Sequence, residues 1–91
     1  MPTLEWRALA ENDLEQIVDY IAADNPERAL SFIAELREKG SLLLTNPKLG
    51  RPGRVGDTRE LVAHPNYVIV YRLAGQVVEV LRVKHVAQRW P

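Results

Sequence analysis

The sequence predicts an α+β fold in which a helical hairpin packs on a curved, mainly antiparallel sheet, with the element order β-α-α-β-β-β. Apolar residues recur at helical spacing in residues 9–45, whereas residues 58–84 are rich in strand-forming residues broken by short turns. Two paired amphipathic helices also need an apolar surface to cover, and the strands offer it. The 91 residues suffice for one core, so we expect a single domain over residues 1–91.

The chain opens with a predicted strand over residues 3–7 and a first helix over residues 9–23. In the strand, Leu4 and Trp6 lie on one face and polar residues lie on the other. In the helix, apolar residues occupy positions i, i+3, i+4 and i+7, which places them in one stripe. The members of this stripe are Leu14, Ile17, Val18 and Ile21.

The second helix is predicted over residues 26–45. Asn25 suits the N-cap, because its side chain can accept a backbone N–H of the first turn, and Pro26 suits the first helical position. The pair Asn46-Pro47 ends the helix, since the residue before a proline disfavours helical geometry. One side of the helix carries the residues expected to be buried, which are Ala29, Ile33, Leu36, Gly40 and Leu43.

Residues 48–57 are predicted to form a loop, because they contain three glycines, one proline and three cations. Three strands follow, over residues 58–63, 67–73 and 76–84. A turn at residues 64–66 joins the first two, and Ala74-Gly75 makes a tight hairpin between the last two. Residues 67–71 are almost wholly apolar, which indicates a central strand.

The chain is neutral overall, but its charge is unevenly distributed. Residues 1–40 carry four basic and nine acidic residues, whereas residues 41–91 carry eight basic and three acidic residues. Such a chain can present a basic face to a polyanion. The zero net charge argues against strong, indiscriminate binding of nucleic acid, so any such contact is expected to be local or assisted by a partner.

Several kinds of site are excluded by composition. The chain has no cysteine, which removes disulfide and thiolate chemistry. No glycine loop ends in Lys-Ser or Lys-Thr, and two histidines without cysteine argue against zinc, so we expect neither a metal nor a cofactor. There is no signal-peptide pattern and no apolar run near the roughly 20 residues that cross a bilayer, so we expect a cytoplasmic protein without membrane contact.

The basic residues of the second half form a candidate site, because a curled sheet would bring them to one concave face where guanidinium groups can bind phosphates. If the chemistry is metal-free RNA cleavage, His85 could transfer a proton, and Arg59 and Arg82 could stabilise the phosphate. No second titrating group is evident, and an alternative is that both histidines are ordinary surface residues. Further candidates for binding nucleic acid or another target are Arg51, Arg54, Arg72, Lys84 and Arg89.

Three segments resemble the RelE/ParE superfamily, which comprises toxins of type II toxin–antitoxin modules. They are Arg-Glu-Leu-Val at residues 59–62, His-Pro-Asn-Tyr-Val-Ile-Val-Tyr-Arg at 64–72 and Leu-Arg-Val-Lys-His at 81–85. The likeness covers nearly the whole chain, including Asp-Tyr-Ile-Ala at 19–22 and the closing Ala-Gln-Arg-Trp-Pro at 87–91. It implies a microbial RNase-type fold, a paired antitoxin and growth arrest by the free toxin.

The resemblance leaves two targets open. RelE-like members cleave mRNA on the ribosome, and the C-terminal catalytic histidine of members resembling YoeB and YafQ falls on His85. ParE-like members lack the nuclease residues and inhibit DNA gyrase. Val68 replaces an arginine that many of the nucleases carry, and Asn66 stands where YafQ-like toxins have an acid, although Arg59 could replace a RelE-like lysine. These departures favour a gyrase inhibitor, with a ribosome-dependent mRNA endonuclease as the alternative.

The superfamily also implies a cognate antitoxin. The acidic helical hairpin and a groove beside the sheet could receive an amphipathic helix and an extended tail. Operator DNA would then be bound only through the antitoxin complex, and a third alternative is a non-toxic member that acts with the antitoxin in autorepression. Near the C-terminus, Trp90 is expected to pack on the core or to join the antitoxin surface.

Overall fold

The computed structural model describes residues 2–87 as two helices packed on one side of a five-stranded sheet. The strands are β1 (Thr3–Trp6), β2 (Arg51–Pro52), β3 (Thr58–His64), β4 (Tyr67–Ala74) and β5 (Val77–His85). The helices are α1 (Ala8–Ala22) and α2 (Pro26–Ser41), and a 3-10 helix over Leu42–Leu44 follows α2. The predicted fold class and element order are confirmed, with the short strand β2 added.

The sheet has the order β1-β5-β4-β3-β2 and is antiparallel except for the pair of β1 and β5. Its central strand is β4, in which the four residues from Val68 to Tyr71 are all buried, as the apolar run predicts. The strand β1 pairs only with the first part of β5, up to Val80, because the chain turns into α1 after Trp6. Just after Val80, Leu81 forms a bulge in β5. Val80 and Arg82 pair with the consecutive residues Tyr71 and Val70 of β4, so Leu81 has no partner in β4.

The second helix begins as predicted. The Asn25 side chain accepts the backbone N–H of Arg28 at 3.0 Å, and Pro26 takes the first helical position. The α-helix ends at Ser41 rather than at residue 45, because the last turn tightens into the 3-10 helix. Neither helix in the described part of the chain is long and apolar enough to span a membrane.

The core fills the space between the two helices and the sheet. The predicted stripe of α1 is buried or half-buried there. In α2, Phe32 is buried and Ile33 only half-buried, which corrects the predicted stripe. Phe32 is drawn inwards because its ring packs against His64 at 4.9 Å and Tyr67 at 5.5 Å between ring centroids. The N-terminal half of α2 is therefore fixed to the end of β3 and the start of β4.

The loop before β3 is anchored by the buried hydroxyl of Tyr71. This hydroxyl donates a hydrogen bond to the carbonyl of Pro47 at 2.7 Å and accepts the N–H of Gly50 at 2.9 Å. The next two residues, Arg51 and Pro52, pair with β3, so part of the predicted loop is an edge strand. The core therefore fixes the position of the segment that brings basic residues to the sheet.

Candidate target-binding site on the open face

The sheet has two unlike faces, here called the covered face and the open face. The covered face packs on the helices through apolar residues, including Leu61, Ile69, Tyr71, Val78 and Val80. The open face carries the alternate residues, including Glu60, Val68, Arg72, Glu79 and Lys84. Four of the arginine and lysine candidates within residues 2–87 lie on or beside the open face, namely Arg51, Arg54, Arg72 and Lys84. Arg59 is opposite Tyr71 in the register of the covered face, and Arg89 lies outside the described residues.

One end of the open face forms a depression that we call the cationic corner. It is a cavity of about 50 Å³ lined by Arg51, Arg54, Glu60, Val68, Lys84, His85 and Val86. Lys84 lies directly opposite Val68 in the pairing of β5 with β4. Arg51 contacts the buried carboxylate of Glu60 at 3.3 Å. Three long cations thus lie around one carboxylate, which gives this corner an excess of positive charge.

The other candidate arginines are held away from the cationic corner by their own partners. The guanidinium of Arg59 donates to the carbonyl of Gly50 at 2.7 Å and so ties β3 to the preceding loop. Arg72 lies at the opposite end of the open face, where its Nε donates to Glu79 at 2.7 Å. This hydrogen bond, with a smaller contribution from the charge of Arg7, lowers the pKa of the Glu79 carboxyl.

Arg82 points to the helices instead of the open face. Its Nε and Nη2 donate to the two carboxylate oxygens of Asp13 in α1, at 2.8 and 2.9 Å. The hydrogen bonds to Asp13 raise the pKa of Arg82 further above its ordinary value. The three residues named for RNA cleavage, His85, Arg59 and Arg82, are therefore not brought together around one point.

Both histidines have the same structural role. The Nδ1 atom of His85 accepts the backbone N–H of Ala87 at 3.0 Å, and Nδ1 of His64 accepts the N–H of Asn66 at 3.1 Å. A backbone N–H can only donate, so each Nδ1 is unprotonated and the neutral ring carries its proton on Nε2. Each histidine closes the turn that follows its strand. In this arrangement a neutral His85 has no unoccupied ring lone pair with which to act as a general base.

Tyr67 connects the two histidine turns. Its ring packs edge-on against His85 at 5.2 Å and lies 6.2 Å from His64. Burial raises the pKa of the Tyr67 hydroxyl, and nearby Tyr20 adds to this effect. Its hydroxyl is therefore less suited to proton transfer at neutral pH than that of an exposed tyrosine.

Sequence reasoning missed the acidic partners of these cations. Asp13, Glu60 and Glu79 are each less than a tenth exposed, although charged residues are usually placed on the surface. For Asp13 a signal was available, since it lies four residues before Ile17 and so beside the apolar stripe of α1. For Glu79 the hairpin at Ala74-Gly75 was a further signal, because it sets Arg72 opposite this residue, whereas for Glu60 strand alternation shows the face but not the partner.

The fold is that of the small α+β toxins of the RelE/ParE type, as two solved structures show. The structure aligns with one from a chromosomal ParDE toxin–antitoxin system of P. aeruginosa with a TM-score of 0.85 and 30% identity, covering 94% of this chain and 97% of that one. It also aligns with one from the toxin–antitoxin complex RelBE2 of Mycobacterium tuberculosis, with a TM-score of 0.65 and 25% identity over 93% and 99% of the two chains.

The sequence comparisons lead to one family. The model of the "ParE toxin of type II toxin-antitoxin system, parDE" matches residues 4–90. Toxin RelE2 of Caulobacter vibrioides is 39% identical over 83 residues, which are 91% of each chain. The protein Y4kP of Sinorhizobium fredii is 39% identical over 89 residues, or 97% of this chain and 92% of the relative. The chain therefore belongs to the ParE toxin family and is a toxin of a type II toxin–antitoxin system.

Proposed function

We propose that this toxin arrests growth by binding DNA gyrase, as ParE-like toxins do, and that it performs no RNA cleavage. The observation that carries the proposal is the dispersal of the nuclease candidates. Arg59 is bound to a backbone carbonyl, Arg82 to a buried aspartate, and Nδ1 of His85 to the backbone of its own turn. Metal-free RNA cleavage needs a base, an acid and phosphate-binding cations around one phosphate, and these three residues are committed elsewhere.

The cationic corner is the surface that we propose for the target. Arg51 and Arg54 come from the segment before β3 and Lys84 comes from β5, and the three line the same depression as the apolar side chain of Val68. An acidic segment with one apolar side chain would complement this arrangement, because the charges attract it and the valine excludes water. Binding of this kind requires no proton transfer, which agrees with the structural role of His85.

We further propose that the outer groove of the helical hairpin receives a helix of the cognate antitoxin. This groove is a cavity of about 320 Å³ with an apolar floor that includes Leu14, Val18 and Ile33. Its rim includes Glu15 and Asp19, together with the pair formed by Arg37 and Glu11 at 2.9 Å. An amphipathic helix with apolar residues on one face and flanking basic residues would fit the floor and the rim together. Because the proposed partners are the antitoxin and gyrase, we also propose that the protein acts in the cytoplasm.

The decisive experiment compares methionine and thymidine incorporation within minutes of tightly controlled expression. The variant His85→Asn removes the imidazole but keeps an oxygen that can accept the Ala87 N–H, so the turn survives. If the target is gyrase, thymidine incorporation falls first for the wild type and for His85→Asn alike. Purified gyrase should then lose supercoiling activity when either protein is added.

Substitutions in the cationic corner test the binding surface. The double substitution Arg54→Gln with Lys84→Gln should weaken toxicity, since it removes two charges from the corner. The matched control is Lys48→Gln, which removes an exposed charge from the same loop outside the corner. Equal toxicity of all three proteins would contradict the proposed surface.

Two outcomes would replace the proposed function. If methionine incorporation collapses first and His85→Asn restores it, the toxin is a RelE-like mRNA endonuclease. If expression has no effect on growth, the chain is a non-toxic member that acts with its antitoxin on operator DNA.

A further inference from the structure

The second part of β5 has a strand neighbour on one side only. Within residues 2–87, β1 pairs with β5 from Val77 to Val80, and no strand lies beside residues 81–85 on that side. The backbone groups of this edge would pair readily with an extended chain. The segment from Val77 to Val83 favours such pairing, because it has five valine or leucine residues, balanced charge and neither glycine nor proline.

A carboxylate from α1 occupies one backbone donor of this edge. Asp13 of α1 accepts the backbone N–H of Val83 on Oδ2 at 2.9 Å, so its oxygen takes the place that a carbonyl of a neighbouring strand would occupy. Asp13 is only 7% exposed, and its remaining hydrogen-bonding capacity is met by the bidentate contact with Arg82. The aspartate is therefore held in place from two directions.

Cavities lie on both sides of this carboxylate. One of about 910 Å³ is lined in part by Trp6, Leu9 and Leu81, and one of about 330 Å³ in part by Tyr20 and Val83. Leu9 is 59% exposed and Tyr20 79% exposed, so apolar surface flanks the edge at either end. An extended segment would find room and apolar contacts along the edge, and Asp13 interrupts its path.

We propose that Asp13 guards the edge of β5 and prevents this strand from pairing with β5 of a second copy of the chain. The ion pair with Arg82 keeps the Asp13 carboxylate hydrogen-bonded to the Val83 N–H. Natural sheets commonly protect edges with inward-pointing charges or a covering helix, and here a side chain from a helix performs both tasks. This role is independent of the toxin's target.

Two double variants test whether Asp13 protects the edge of β5 or only forms a structural ion pair with Arg82. Arg82→Gln with Asp13→Asn removes both charges but keeps an oxygen that can accept the Val83 N–H. Arg82→Gln with Asp13→Leu has the same residue at position 82 and a side chain of similar size at 13, but no acceptor. Neither variant leaves a buried charge without its partner, which is the usual reason that such substitutions unfold a protein.

The free chain, separated from any antitoxin, is measured by light scattering on a sizing column over a range of concentrations. The asparagine variant should remain a monomer like the wild type, whereas the leucine variant should double its apparent mass as concentration rises. At low concentration the Val83 amide of the leucine variant should exchange with solvent at least about tenfold faster than in the wild type. The Lys84 amide, which points towards β4, should not change.

A leucine variant that stays folded and monomeric at all concentrations would overturn the proposal. Equal self-association of both variants would also overturn it, because the acceptor would then be irrelevant. The wild type provides a test that does not depend on folding of the variants. If its Val83 amide exchanges as fast as an amide in an exposed loop, Asp13 does not cover the edge and the proposal is wrong.

Discussion

The covered and open faces of the sheet are organised by different interactions. On the covered face, residues such as Ile69 and Val80 are completely buried and contact other apolar side chains. On the open face, Glu60 and Glu79 are nearly as well buried, but each is held by arginine. The comparison shows that burial of apolar side chains is enough to explain the packing of the covered face. The arrangement of the open face depends on which charged groups pair with one another. Within residues 2–87, Arg59, Arg72 and Arg82 are held by partners within the fold, whereas the cationic corner brings Arg51, Arg54 and Lys84 together.

The largest effect on stability is expected on the covered side. Leu36→Ala should lower the free energy of unfolding by about 2–5 kcal/mol, because Leu36 is 1% exposed and its loss leaves a cavity. The control is Leu30→Ala on the same helix, which is 72% exposed and should change stability by less than about 0.5 kcal/mol. Urea denaturation of the free chain measures both. Equal losses would mean that the helices do not pack on the sheet as described.

A smaller effect is expected where the core meets the loop of the open face. Tyr71→Phe should cost about 1–3 kcal/mol, because the buried N–H of Gly50 and the carbonyl of Pro47 both lose their partner. Amide exchange at Gly50 should accelerate at the same time. Tyr20→Phe removes an exposed hydroxyl and serves as the control. An unchanged Gly50 amide in Tyr71→Phe would show that the hydroxyl does not hold the loop.

The open face should contribute to the loss of stability at acidic pH. Because Arg72 and Arg7 lower the pKa of Glu79 in the folded chain, this residue stabilises the fold above its unfolded pKa of about 4.3. The contribution is lost as pH falls from that value through the folded pKa. Arg72→Gln should therefore flatten the fall in stability below about pH 4.3, whereas Lys48→Gln should preserve it. Identical profiles of stability against pH for the two variants would exclude Glu79 as a cause of the loss of stability at acidic pH.

The smallest effect on stability is expected in the cationic corner. Lys84→Gln should change the free energy of unfolding by less than about 0.5 kcal/mol, because the side chain is only partly buried and the Glu60 carboxylate of the corner already pairs with Arg51. The same substitution should reduce toxicity if the corner contacts the target. A loss of stability as large as that of Tyr71→Phe would place Lys84 among the structural cations.

The sequence was sufficient to predict the fold because its signals are local. Asn25 and Pro26 mark the start of α2, and the apolar run after Tyr67 marks the central strand. Phe32 was missed because its burial depends on contacts with the turn between β3 and β4, which helical periodicity does not contain. The strand β2 was missed because two residues are too few for a pattern.

The candidate site could be predicted only in part. Sequence position assigned all the arginines of the second half to one basic surface, although strand alternation already sets Arg59 on the same side of β3 as Leu61. In the structure Arg82 lies apart from Arg51, because Arg82 contacts Asp13, a residue 69 positions earlier in the chain. Pairings over such separations depend on the three-dimensional arrangement of helix and strand. The pair of Arg72 and Glu79 is different, because these residues are close in the chain and stand opposite each other across the hairpin at Ala74-Gly75, so the register of that hairpin does contain a signal for it.

The hydroxyl of Tyr71 has a consequence for binding energetics. This hydroxyl fixes the residues before Arg51 to the core. The backbone of Arg51 and Arg54 should therefore already be ordered in the free toxin. A partner then loses little conformational entropy of the toxin on binding, and more of the contact energy remains as affinity. We therefore expect Tyr71→Phe to weaken target binding mainly through a less favourable entropy, which calorimetry would detect as a change in TΔS at nearly constant enthalpy.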